Sequence, residues 1–109
     1  MLKMQLIMDI NKIRREKLYD ADKISYAIDS LLSTEYGLIK GSNGFYMESG
    51  KCDDYTNFWG AILLLKDEKW FLDNVKTWLW FNSDDSENPD DFAIEDLREH
   101  YIAKHKLSA

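Results

Sequence analysis

A chain of 109 residues with a formal net charge of −6 has the size of one domain and leaves no room for two well-formed cores. Its 45% hydrophobic, 14% aromatic and 31% charged residues mark a globular chain rather than a disordered one. Its longest unbroken apolar run, Ala61 to Leu65, is far short of the roughly 18 to 20 residues that span a bilayer.

The single cysteine, Cys52, has no second thiol to form an internal disulfide or a cysteine metal site, which points to a reducing, cytoplasmic setting. The N-terminal stretch is interrupted by Lys3, Gln5 and Asp9, and no small-residue cleavage site follows, so no secretory signal is read there. Met1, Met4 and Met8 are all possible starts, so residues 1–7 are expected to be ragged.

Leu2, Leu6, Ile10 and Ile13 fall at spacings of four, four and three, the stripe of an amphipathic first helix. Lys12, Arg14, Arg15 and Lys17 form the one basic cluster beside it. With Asp9 and Glu16 among them, a solvated helix face is favoured over nucleic-acid contact.

Asp20 or Asp22 can cap a second helix, whose Ile24, Ala27, Ile28, Leu31 and Leu32 follow the helical spacing up to Tyr36 and Gly37. The glycine-rich run GLIKGSNGFYMESGK then predicts a small β-hairpin around residues 37–48. It carries neither the spacing of a phosphate-binding loop nor that of a dinucleotide-binding turn.

Eight of the fifteen aromatic residues, including all four tryptophans, lie between Tyr55 and Phe81. Thr56 can cap a helix through Lys66 that is apolar nearly all round and belongs in the middle of the core, with a buried strand at 61–65 as the competing assignment. Asp67 can cap a further helix to about Phe81, with Phe71, Leu72, Val75, Trp78 and Leu79 on its apolar stripe. Trp80 then falls on the polar side and Trp70 lies off the stripe. An acidic loop over 82–92 holds the only proline, Pro89, and leads into a last helix over 93–106. The expected architecture is one domain over residues 1–109, α+β and predominantly α, with four to five helices and one hairpin.

The acidic charge is uneven. Residues 1–50 hold seven basic and seven acidic side chains, whereas 51–109 hold seven and thirteen. Asp84, Asp85, Glu87, Asp90, Asp91, Glu95, Asp96 and Glu99 face a single cation, Arg98.

Asp84, Ser86, Asn88, Asp90 and Glu95 fall at five ligand positions of a helix-loop-helix calcium loop, but Pro89 stands where that loop turns on glycine and Asp91 where it is usually apolar. Asp96 and His100 share one helix face, while His100 and His105 do not, and two ligands do not make a metal site. No serine-nucleophile elbow, paired-cysteine motif or zinc-protease helix is present. The expectation is a chain without cofactor, metal or catalytic residues.

Trp80 and Trp70 beside Asp84, Asp85, Glu87, Asp90, Asp91, Glu95, Asp96 and Glu99 suggest an aromatic anchor next to a negative field. The competing account makes Trp80 a core residue and the acids a solubility device. A non-enzymatic module that binds a protein with a basic surface, and neither nucleic acid nor membrane directly, follows from the first account. An inhibitor that occludes or mimics nucleic acid at a basic site is one form of it, similar in kind to the small acidic anti-restriction and anti-CRISPR proteins of phages and mobile elements. An immunity or regulatory partner of a toxin is a second form, and a small enzyme with an unfamiliar site is the remaining class.

Overall fold

The computed structural model describes residues 1–84, 87, 88 and 90–108, with side chains through Lys104. In chain order the elements are β1 (Leu2–Met8), α1 (Ile10–Glu16), α2 (Ala21–Asp29) continued by a π-helical turn (Ser30–Glu35), β2 (Ile39–Lys40), β3 (Phe45–Met47), α3 (Asp54–Leu65), α4 (Lys69–Leu72), β4 (Val75–Asn82), β5 (Ala93–Asp96) and α5 (Leu97–Ser108). The strands form one antiparallel sheet in the order β2-β3-β1-β4-β5. Each long helical connection joins two strands that flank a third. β3 lies between β1 and β2, and β1 lies between β3 and β4, so two split β-α-β units interleave.

A five-stranded sheet replaces the predominantly helical architecture with one hairpin. The largest correction is at the N-terminus, where a strand stands in place of the start of the expected first helix. Leu2–Met8 is the central strand, with Leu2, Met4, Leu6 and Met8 buried and the residues between them half-buried. This period of two competes in the sequence with the stripe through Leu2, Leu6, Ile10 and Ile13, and pairing on both sides of the strand decides it.

The helix expected up to Phe81 is likewise two elements, the single turn α4 and the strand β4. Ile7 pairs with Thr77 and Met8 with Val75, which leaves Lys76 unpaired in a β-bulge. The bulge spaces the buried residues Val75, Trp78 and Trp80 by three and then two, and the three-residue step imitates a helical turn. The last helix starts four residues late, because 93–96 form β5.

The hairpin forms as expected, with Asn43 and Gly44 both at positive φ in its turn. Asp20 caps α2 by accepting the backbone N–H groups of Asp22 and Lys23. α3 is not central on all sides. It buries Phe58, Ala61, Ile62 and Leu65 and leaves Tyr55, Leu63 and Leu64 exposed.

The core lies on one side of the sheet. Trp80 packs edge-on to Phe58 of α3 at 5.0 Å, Trp78 to Phe71 of α4 at 4.8 Å, and Tyr101 of α5 lies 5.7 Å from Trp78. The Tyr46 hydroxyl of β3 donates to Asp29 at the end of α2. The shortest dimension of the molecule, 21 Å, fits two layers, a sheet and the helices on one of its faces.

Candidate functional site

Strand register defines the other face of the sheet. Side chains directly opposite on paired strands share a face. One row therefore runs Ile39, Met47, Lys3, Phe81, Ile94, and the next runs Phe45, Gln5, Leu79, Asp96, with Ile7 and Thr77 beyond. The inner members of these rows are half-buried, whereas Ile39 and Ile94 at the edges are 54% and 61% exposed. A β-sheet face this apolar is normally covered by a second layer. Among the described residues Phe92 lies on this face, its ring 5.9 Å from Phe81 and nearly perpendicular to it.

Lys3 is the one cation among these positions. Its ammonium lies 4.4 Å from the centre of the Phe92 ring, 5.0 Å from Phe45 and 5.3 Å from Phe81, all within cation–π range. No carboxylate pairs with Lys3 among the described residues. The centre of the open face is thus positive and aromatic, although the chain as a whole is acidic.

The predicted site residues separate into three groups. Trp80 is 4% exposed and stands on the helix side, ringed by Tyr55, Phe58 and Trp59, so it belongs to the core and is no surface anchor. Trp70 is half-buried on α4, with its indole N–H donated to Glu68 at 3.0 Å. α4 adjoins the Val75 end of β4, while the acidic loop leaves the Asn82 end. Eight strand residues at roughly 3.3 Å each keep Trp70 apart from the acids of that loop, whereas β5 runs back along β4, with Asp96 opposite Leu79 and Arg98, next to Glu99, donating to the Val75 carbonyl.

The acids do gather. Asp84, Glu87, Asp90 and Asp91 lie in the exposed segment between β4 and β5, and Glu95 and Asp96 on β5 are exposed, as is Glu99 in the first turn of α5. Asp85 lies outside the described residues, as do Ser86 and Pro89. No lysine or arginine pairs with Glu87, Asp90, Glu95 or Glu99 among the described residues. Asp96 also caps α5, accepting the Glu99 N–H at 3.0 Å. Glu95, the last position of the calcium-loop spacing, is on a strand, which is not the helix-loop-helix geometry. Among the described residues no three His, Cys, Asp or Glu side chains are grouped to hold a metal.

Leu2 of β1 pairs with Asn82, next to the acidic loop, and Met8 leads into α1, which carries Lys12, Arg14 and Arg15. The acidic loop and the basic cluster of α1 therefore sit at opposite ends of the sheet.

One polar cluster in a cleft is Asp29, Lys40 and Tyr46, at the rim of a space of ≈ 390 Å³ walled by Leu6, Met8 and Ile28. These groups satisfy one another. Asp29 accepts the Tyr46 hydroxyl at 2.5 Å and the Lys40 ammonium at 2.9 Å. Burial and this bond to Asp29 push the Tyr46 hydroxyl well above its ordinary pKa. Burial opposes ionisation of Asp29, but the bonds from Tyr46 and Lys40 outweigh it and hold the carboxyl below its usual range. The arrangement clamps the hairpin to α2, and within it neither the tyrosine nor the carboxylate is poised to exchange a proton near neutral pH.

No protein-family model, curated protein or solved structure matches the chain.

Local spacing places Lys3 on one helix and Phe81 at the end of another, which hides the open face they share across β1 and β4. The signals that mark it are the alternation from Leu2 to Met8 and the β-prone run Trp78 to Phe81.

Proposed function

We propose that this chain is a non-enzymatic protein-binding module that docks through the open face of its sheet. The observation that carries this reading is the row Met47, Lys3, Phe81, Ile94 on the face of the sheet opposite the helices, touched by Phe92 and bordered by the exposed carboxylates of β5 and the acidic loop. A partly exposed aromatic and aliphatic patch with a charged margin is the usual anatomy of a protein interface.

The partner that fits has an apolar patch flanked by lysines and arginines. The negative end speeds and orients the encounter, and the apolar face supplies most of the affinity. A nucleic-acid-handling protein whose basic groove is occluded by the acidic end fits this description, and so does a toxin or regulated protein gripped through the apolar face alone.

Affinity capture from the native host with nuclease treatment, followed by reconstitution with the purified partner, tests the reading. The double variant Leu79→Ser/Phe81→Ser is expected to lose binding while keeping its far-ultraviolet circular dichroism. Equal partner affinity in the folded variant refutes docking through this face. Displacement by DNA and steep weakening with salt distinguish groove occlusion from a mainly apolar grip.

A further inference from the structure

The outer edge of β5 is a second feature of the same region, and it differs in kind from the face. β5 is the last strand of the sheet, its inner edge pairs with Leu79 to Asn82, and all four of its residues are exposed. An edge strand presents backbone N–H and C=O groups outward with no partner, which is a template for one more strand.

We infer that β5 accepts an extended, basic segment of a partner protein as a sixth strand. This rests on the reading of the chain as a protein-binding module and names the class of segment bound. Ile94 projects to the open face with Asp96, and Glu95 to the helix side. A strand laid beside them therefore places one apolar residue opposite Ile94 and two consecutive basic residues opposite Glu95 and Asp96, one on each face of the sheet.

A second copy of the chain does not fit this edge. Pairing β5 with itself gathers four carboxylates, two from each copy, and like charges across strands are destabilising. The acids that reject self-pairing are the ones that attract a basic strand. Glu87, Asp90 and Glu99, exposed and without a basic partner among the described residues, add to the same field.

The test uses the whole chain and two synthetic peptides, acetyl-Thr-Val-Lys-Arg-Val-Thr-amide and its acidic counterpart acetyl-Thr-Val-Glu-Asp-Val-Thr-amide, followed by amide NMR at low salt. The basic peptide at millimolar concentration is expected to slow hydrogen exchange at the alternate amides within Ala93 to Asp96 that point away from β4, and to shift the resonances of the whole strand. The acidic peptide is expected to do neither. Glu95→Gln should weaken the basic peptide by about two- to fivefold, the worth of one cross-strand charge pair, and Glu95→Lys by more.

No binding, equal binding of both peptides, or binding without protection of β5 overturns the proposal. If the basic peptide leaves β5 unprotected but the partner still needs Leu79 and Phe81, the edge fails and the face reading survives. If the peptide protects β5 while the Leu79→Ser/Phe81→Ser variant keeps full partner affinity, the face fails and the edge stands.

Discussion

Lys3 stands directly opposite Phe81 across the β1–β4 pair, and its ammonium lies 5.3 Å from the centre of that ring. Phe92 is closer still, at 4.4 Å, and among the described residues it brings the chain returning to β5 onto the sheet. This contact holds the end of the acidic segment over the open face. Phe92→Leu keeps most of the bulk and removes the π system, so it should cost about 0.5–1 kcal/mol. It should also speed amide exchange at Asp90 to Phe92. Unchanged denaturation midpoint and unchanged exchange in the variant would show that the cation–π contact is not what holds the loop.

Adjacent residues on β4 should respond very differently to truncation. Trp80 is enclosed by three aromatic rings on the helix side, whereas Phe81 is half-buried on the open side. Trp80→Ala leaves a large cavity and should destabilise the domain by about 3–5 kcal/mol. That is a substantial share of the roughly 5–15 kcal/mol that holds a domain together. Phe81→Ser should cost about 1–2 kcal/mol, because much less area leaves an apolar environment. Urea denaturation of both variants checks the contrast, and equal losses would contradict the two-sided sheet.

The legible parts of this fold are those whose signals are local. Asp20 as a cap, Ile24, Ile28 and Leu32 as a stripe, and GSNG as a turn each depend on a few neighbouring residues, and α2 and the hairpin follow from them. β1 and β4 depend on partners far away in the chain. Leu, Met, Lys and Gln in β1 are good helix formers, and the bulge at Lys76 shifts the alternation of β4, so local preference points to helix in both places. The acidic half of the candidate site was visible because charge can be counted. Its apolar half was not, since Lys3, Phe45, Phe81 and Ile94 come from four strands and meet only through register.

Gly44 is the tightest point of the hairpin. It has φ +78°, and a Cβ built there would lie 2.7 Å from the Leu6 carbonyl oxygen, the backbone of the central strand. The same strand donates the Leu6 N–H to the Gly44 carbonyl at 2.8 Å, so it cannot yield without losing a sheet hydrogen bond. Gly44→Ala should therefore destabilise by about 1–3 kcal/mol, through the left-handed conformation and the displaced strand together. Gly50, also at positive φ but in open space, provides the control. Gly50→Ala should cost less, and thermal melts of the two variants measure the difference.

Asp54 makes the stability depend on acid. It is 5% exposed at the start of α3, and burial alone would raise its pKa. The Ser49 hydroxyl and the Ser49 and Gly50 backbone N–H groups donate to its carboxylate at 2.5, 3.0 and 2.8 Å, and these bonds prevail, so its pKa lies below the usual range. A depressed folded value stabilises the protein fully above the unfolded value of about 3.9. That contribution fades as pH falls through the folded value. Asp54→Asn should lower stability at pH 7 by about 1–3 kcal/mol. Its stability should also fall less steeply than the wild type's as pH drops from 5 toward 2, so that the two curves converge in acid. The slope that remains in the variant includes Asp29, whose carboxyl is also held below its usual range. Urea midpoints collected across that pH interval check the prediction, and curves that stay parallel would remove Asp54 from the account of acid sensitivity.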